Sequence, residues 1–135
     1  TASGNISASG NFVANQITAS GNLSFNSALV SDKVSLSYSE NLDVDLGTSD
    51  IATVPHGTYD AAFFDYVLKN GSNMRAGTVM AVHDGTNIEL TDVSTADLGK
   101  TELVRFSASL DSSNLILQAS VPSNDWIIKT YIRGI

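Results

Sequence analysis

Residues 58–85, TYDAAFFDYVLKNGSNMRAGTVMAVHDG, form the longest apolar run of the chain, broken only by turn residues. Within residues 59–68, the set Tyr59/Ala61/Phe63/Val67 and the set Ala62/Phe64/Tyr66/Leu68 are both apolar or aromatic. A strand with one wet face shows only one such set, so this pattern predicts a strand covered on both sides. Asn70-Gly71 then supplies residues that tolerate positive φ in a tight turn, and residues 78–83 return as a β-branched run closed by Asp84-Gly85. The expectation is a central β-hairpin that the rest of the chain covers.

Downstream, residues 87–93 (NIELTDV) place Ile88 and Leu90 on one face, and residues 94–100 (STADLGK) read as a loop. Val104, Phe106, Ala108 and Leu110 then alternate with polar residues. After the turn Asp111-Ser112-Ser113-Asn114, the inner face continues through Leu115, Leu117, Ala119 and Val121. Residues 126–132 (WIIKTYI) close the set. Strands recur at about 8 to 12 residues with no convincing helical period, which predicts an all-β head, an antiparallel β-sandwich of jelly-roll-like form. Phe64 and Phe106 are expected in its core.

Upstream, residues 33–40 (KVSLSYSE) and 42–46 (LDVDL) alternate and predict two half-buried strands, with Val34, Leu36 and Tyr38 inward and serines outward, the break at 39–41 being either a short turn between them or a bulge. Residues 47–57 (GTSDIATVPHG) read as a connector with a short strand before Pro55. Residues 1–31 carry no charge, so all 14 acids and 7 bases lie beyond them. Here Ser-Gly-Asn followed by an apolar residue occurs three times, at 3–6, 9–12 and 20–23, and apolar residues fall at Ile6, Phe12, Ile17, Leu23 and Leu29. A flexible Gly/Ser/Asn linker is one reading. The other is a short β-repeat stalk in which each triplet turns the chain and each apolar residue points into an interior shared by three parallel copies. The expected organisation is a repeat stalk over 1–31, connecting strands over 32–57 and the head over 58–135.

The chain has 135 residues and no cysteine, so it can bury a core without disulfides or a cysteine-ligated zinc. A net charge of −7 and a pI near 4.4 oppose binding to nucleic acid, which needs lysine and arginine to release counterions. No window approaches the roughly 20 apolar residues of a membrane span, and none has the basic-flanked apolar core of a leader. The chain starts at Thr1, which is expected of a piece excised or processed from something longer.

Residues 58–83 and the ending NLILQASVPSNDWIIKTYIRGI, residues 114–135, together resemble a C-terminal module of tail-fibre and other virion structural proteins of tailed phages, marine ones in particular. The ITASGN-type repeat is similar to the stalks that precede such modules. The resemblance covers roughly three quarters of the chain, and residues 32–50 carry none of it. It implies a trimeric fibre tip in the virion, and it implies no ligand site and no cofactor.

The inventory for catalysis is thin, since the chain has two histidines and no cysteine. His56 lies in a Pro-His-Gly turn and reads as a loop histidine. His83 before Asp84-Gly85 would need a further ligand such as Asp92 to bind a metal, and the ligand spacing of known sites is absent. Asp43 and Asp45 project from one strand face, as half a calcium site or as an acidic strand that resists edge pairing. Tyr38, Tyr59, Tyr66, Tyr131 and Trp126 could stack on sugars, although core or subunit interface suits most of them better.

The expectation from sequence is therefore a non-enzymatic virion protein, a homotrimeric tail-fibre fragment whose head attaches to the host. Its trimer interface would use Ile6, Phe12, Ile17, Leu23, Tyr59 and Phe63. A host surface glycan or protein would meet loops carrying Lys69, Asn73, Arg75, Asp97 and Asp125. Other virion proteins would be further partners. A capsid decoration or cement protein at the capsid surface, and a monomeric carbohydrate-binding module, are the alternatives; the uncharged repeat favours the fibre.

Overall fold

A computed structural model describes Ser9, residues 13–24, Asn26, residues 28–31 and residues 33–135. The described chain is all-β. Its nine strands are β1 (Leu29–Val30), β2 (Ser35–Val44), β3 (Gly47–Pro55), β4 (Ala61–Asn70), β5 (Asn73–His83), β6 (Ile88–Ser94), β7 (Arg105–Leu110), β8 (Asn114–Val121) and β9 (Trp126–Gly134). They form a six-stranded sheet in the order β1-β2-β9-β4-β5-β6 and a three-stranded sheet in the order β3-β8-β7, with all pairings antiparallel. No helix among the described residues is long and apolar enough to cross a membrane.

The core lies between the sheets. Ala62, Phe64, Tyr66 and Leu68 of β4 meet Val79 and Ala81 of β5, Ile128 and Ile132 of β9, and Leu115, Leu117, Ala119 and Val121 of β8. Phe64 is fully buried, as alternation predicts, whereas Phe106 is half-buried and packs on the core's margin with its ring 4.5 Å from that of Tyr66. Trp126 fills the end of β9 and donates its indole N–H to Ser123 Oγ at 3.0 Å.

The central hairpin is β4–β5, and its two loop residues are Gly71-Ser72 because Asn70 pairs with Asn73 at the end of the ladder. Gly71 takes the positive φ of 59° that this turn requires. The strands of the 32–57 stretch belong to the same sandwich: β2 pairs with β9, and β3 with β8. The last strand in sequence, β9, thus lies at the middle of the larger sheet.

Two expectations are corrected. Of the turn or bulge open to residues 39–41, the chain takes a bulge, between Asn41 and Val44, within one strand, β2; its inner face is not the apolar one, because its serines face inward. Ser35 is buried, while Tyr38 and Leu42 are exposed. The cause is polar: β3 bulges between Asp50 and Ala52, leaving the Ile51 carbonyl outside the regular ladder. Ser39 Oγ and Asn41 Nδ2 donate to that oxygen at 2.7 and 2.9 Å. A buried carbonyl without a partner costs about 1–3 kcal/mol, so satisfying it weighs against turning Tyr38 inward. The second correction concerns β4, whose Ala61, Phe63, Asp65 and Val67 are only half-buried; within this chain one face of the strand is uncovered.

Candidate interaction face

The outer face of the larger sheet is built in rows. Across β2, β9, β4, β5 and β6 the register aligns Tyr38, Tyr131, Asp65, Thr78 and Val93. The next row is Leu36, Arg133, Phe63, Met80 and Thr91, and on the other side Glu40, Lys129, Val67 and Ala76 continue it. Large apolar residues stand open here: Tyr38 is 63% exposed, Val82 53% and Tyr131 46%. A shallow groove of about 840 Å³ runs over Tyr38, Glu40, Val67, Thr78, Lys129 and Tyr131, and a hollow of about 280 Å³ lies beside it at Phe63, Met80 and Val82.

The charges on this face are matched in place. Lys129 Nζ lies 3.1 Å from Glu40 Oε2, and Arg133 Nη2 lies 3.5 Å from Asp65 Oδ2 while its guanidinium covers the Phe63 ring at 4.9 Å. Thr78 Oγ1 donates to the same Asp65 at 2.6 Å. Glu40 and Asp65 are thereby each occupied by a neighbouring donor, while Glu89, opposite Val82 on β6, is exposed on the same face. The face offers aromatic and aliphatic surface around two paired ions, which suits contact that excludes water.

A buried polar cluster lies under the opposite side of β5. Arg75 is 8% exposed; its Nε donates to Tyr66 Oη at 3.2 Å, its Nη1 to the Thr101 carbonyl at 3.2 Å and its Nη2 to the Val104 carbonyl at 3.1 Å. Asp92 and Asp97 stand 3.8 Å from the guanidinium. Tyr66 donates to Asp92 at 3.0 Å, and burial first, then the Asp92 charge, raises the phenol's pKa above its ordinary value. Gly77 makes room for this: a Cβ there would come within 2.5 Å of the Val93 carbonyl and 2.8 Å of Tyr66 Oη. The cluster ties the 95–104 loop to the sheet, aided by the reciprocal backbone bonds between Met74 and Leu98.

Several expected site residues therefore change role. Arg75 is an interior anchor and not a receptor-facing loop residue. Tyr59, expected at a subunit interface, is buried in the core; it precedes β4, which begins at Ala61, so the alternation that sets Phe63 outward does not extend to it. Asn73 accepts from the Lys100 N–H at 2.9 Å, and Asp97 accepts from Thr101 Oγ1, so both belong to the tied-down loop. Lys69 and Asp125 are exposed, as are Ile17 and Leu23 of the repeat, and Phe63 is half-buried on the outer face. Ile6 and Phe12 lie outside the described residues.

His83 is enclosed. Its Nδ1 accepts from the Gly85 N–H at 3.2 Å, which leaves Nε2–H to donate to the Tyr59 carbonyl at 2.7 Å. With both ring nitrogens engaged it has none free for a metal, and His56 packs edge-on against it at 5.6 Å. Asp43 and Asp45 are joined by Asp125, the three carboxylates lying within 4.8 Å of one another at the exposed end of the head. Alternation placed the first two together. The third arrives through the turn before β9, where Asp125 adopts a φ of 66°, and no local pattern announces it.

No family model and no curated protein matches this chain. Two solved structures are similar in part. The Acinetobacter phage vB_ApiP_P1 tailspike protein aligns with 92% of this chain at 16% identity and a TM-score of 0.48. A tailspike protein gp49 from Acinetobacter baumannii bacteriophage Fri1, a capsular polysaccharide depolymerase, aligns with 80% at 14% identity and a TM-score of 0.46. The chain spans 24% and 19% of their respective lengths.

Proposed function

We propose that this chain is a stalk and head from a phage tail fibre, a non-enzymatic virion component that assembles as a homotrimer and presents its head for host attachment. The observation that carries the reading is the state of the repeat. Among its described residues Val13 is 90% exposed, and Ile17 and Leu23 are more than half exposed. These described apolar side chains of an uncharged segment are left open by their own head, and parallel copies about one axis supply a partner for them. The resemblance of residues 58–83 and of the ending to phage virion modules supports the same reading. The attachment partner is a host surface glycan or protein, met by the exposed end of the head.

The test joins mass to adsorption. The intact chain should sediment as three copies, and labelled protein should bind cells susceptible to the parent phage and slow that phage's adsorption. A monomer that binds no cells removes the fibre reading. A trimer that binds purified capsids and ignores cells replaces it with a capsid decoration protein.

A further inference from the structure

We infer that the outer face of the six-stranded sheet docks a second copy of this chain, through a patch centred on Phe63, Met80, Val82, Val67 and the Tyr38/Tyr131 pair. This rests on the multi-copy reading and adds to it the surface by which the heads meet. Size is the first argument. Five strands about 4.8 Å apart and about eight residues long at about 3.4 Å each give roughly 650 Å² of sheet plane, and side-chain relief raises the accessible area further. Stable association needs about 800 Å² from each partner.

Charge identifies the occupant. The whole chain carries −7. The patch holds Glu40 against Lys129 and Asp65 against Arg133, with Glu89 opposite Val82 as a further acid, so it carries −1 of the chain's −7 and most of the excess acid lies elsewhere. Two copies meeting through this face bring nearly neutral surfaces together, with Glu89 at the β6 margin, whereas contact through the remaining surface sets strongly negative charge against negative charge. Continuity is the third argument. β1 joins the outer edge of β2 through Leu29↔Leu36 and Val30↔Ser35, so the repeat enters the head at this same sheet. One association about a shared axis covers both the repeat's exposed apolar residues and the open face.

The full-length chain tests this by two routes. Met80→Glu together with Val82→Glu places unpaired charge in the contact and should raise the dissociation midpoint in sedimentation by about tenfold or more. Leu103→Glu, a single apolar-to-acid change at an exposed residue of the 101–104 segment, should leave the mass unchanged, and Met80→Glu alone, its one-charge counterpart in the patch, should not. Because the chain has no native cysteine, Met80→Cys and Leu103→Cys each introduce a single thiol, readable without any charge change. In the assembled protein the thiol at 80 should be alkylated about tenfold or more slowly than the one at 103, the protection expected of a residue withdrawn from solvent on association. An assembly whose mass ignores the double charge, or whose two thiols react equally fast, overturns the docking face and leaves the fibre reading standing. A wild-type chain that is monomeric at micromolar concentration overturns both.

Discussion

Arg75 carries a full positive charge into the interior, and three polar partners receive it in the planar fork that only a guanidinium provides. Removing it leaves the carbonyls of Thr101 and Val104 unpaired and two carboxylates without their cation. Arg75→Ala should therefore cost about 3–5 kcal/mol of stability, read from the denaturant midpoint of the head. Arg75→Lys should recover only part of the loss, since a point charge cannot donate to Tyr66, Thr101 and Val104 in one geometry. Full recovery by lysine would mean that charge alone matters there. None of this was legible in the sequence, because Arg75 follows a turn signature, where basic residues usually meet solvent, and its partners lie nine residues before it and 17 to 29 residues after it. Phe64 was legible for the opposite reason: its environment is set by its own strand's alternation.

At the level of elements, the loop between β5 and β6 is held by one carboxylate. Asp84 accepts from the N–H groups of Thr86 and Asn87 at 2.9 and 2.7 Å and from Asn87 Nδ2 at 2.9 Å. These bonds, the backbone ones of Asn87 foremost, lower its pKa from 3.8 to about 2. Asp111 does the same between β7 and β8, where the N–H groups of Ser113 and Asn114 hold its pKa below the ordinary value. Because the folded values are depressed, the unfolded chain binds more protons in acid. The stabilisation is complete above the ordinary carboxylate range and is lost as pH falls through the folded value. The melting temperature should drop between about pH 4 and pH 2, and Asp84→Asn should lower it at neutral pH while flattening that acid slope. An unchanged slope would mean the loop contributes nothing to it. Both turns are Asx signatures that a reader of sequence can find. β2 shows where such reading fails: its alternation is clean, but which of its two faces turns inward depends on a bulged carbonyl in another sheet.

For the whole molecule, the sandwich was legible from strand spacing, and its division into two sheets of six and three was not, since β2 and β3 join different sheets through strands near the other end of the chain. The doubly apolar pattern of β4 was read as two covered faces, and the single chain covers one. That mismatch locates open surface that composition alone could not place. Deleting residues 1–31 should weaken the assembly without unfolding the head, because among the described residues of that segment only the two-residue β1 joins the sheet. Sedimentation together with circular dichroism checks this. A truncated chain that keeps its mass at every concentration would make the repeat a passive linker, and one that loses its β spectrum would make it part of the head.

The position of β9 has a consequence for how this protein is made. It pairs with β2 on one side and β4 on the other, so the larger sheet stays in two separate pieces until residues 126–134 have been synthesised and released. Earlier hairpins can form on the ribosome as they emerge, but the pairing that unites them spans nearly the whole head in sequence and closes last. A message cut short anywhere before Trp126 yields no head to be assembled. Translation to the ninth strand is the checkpoint that admits a copy to the folded state.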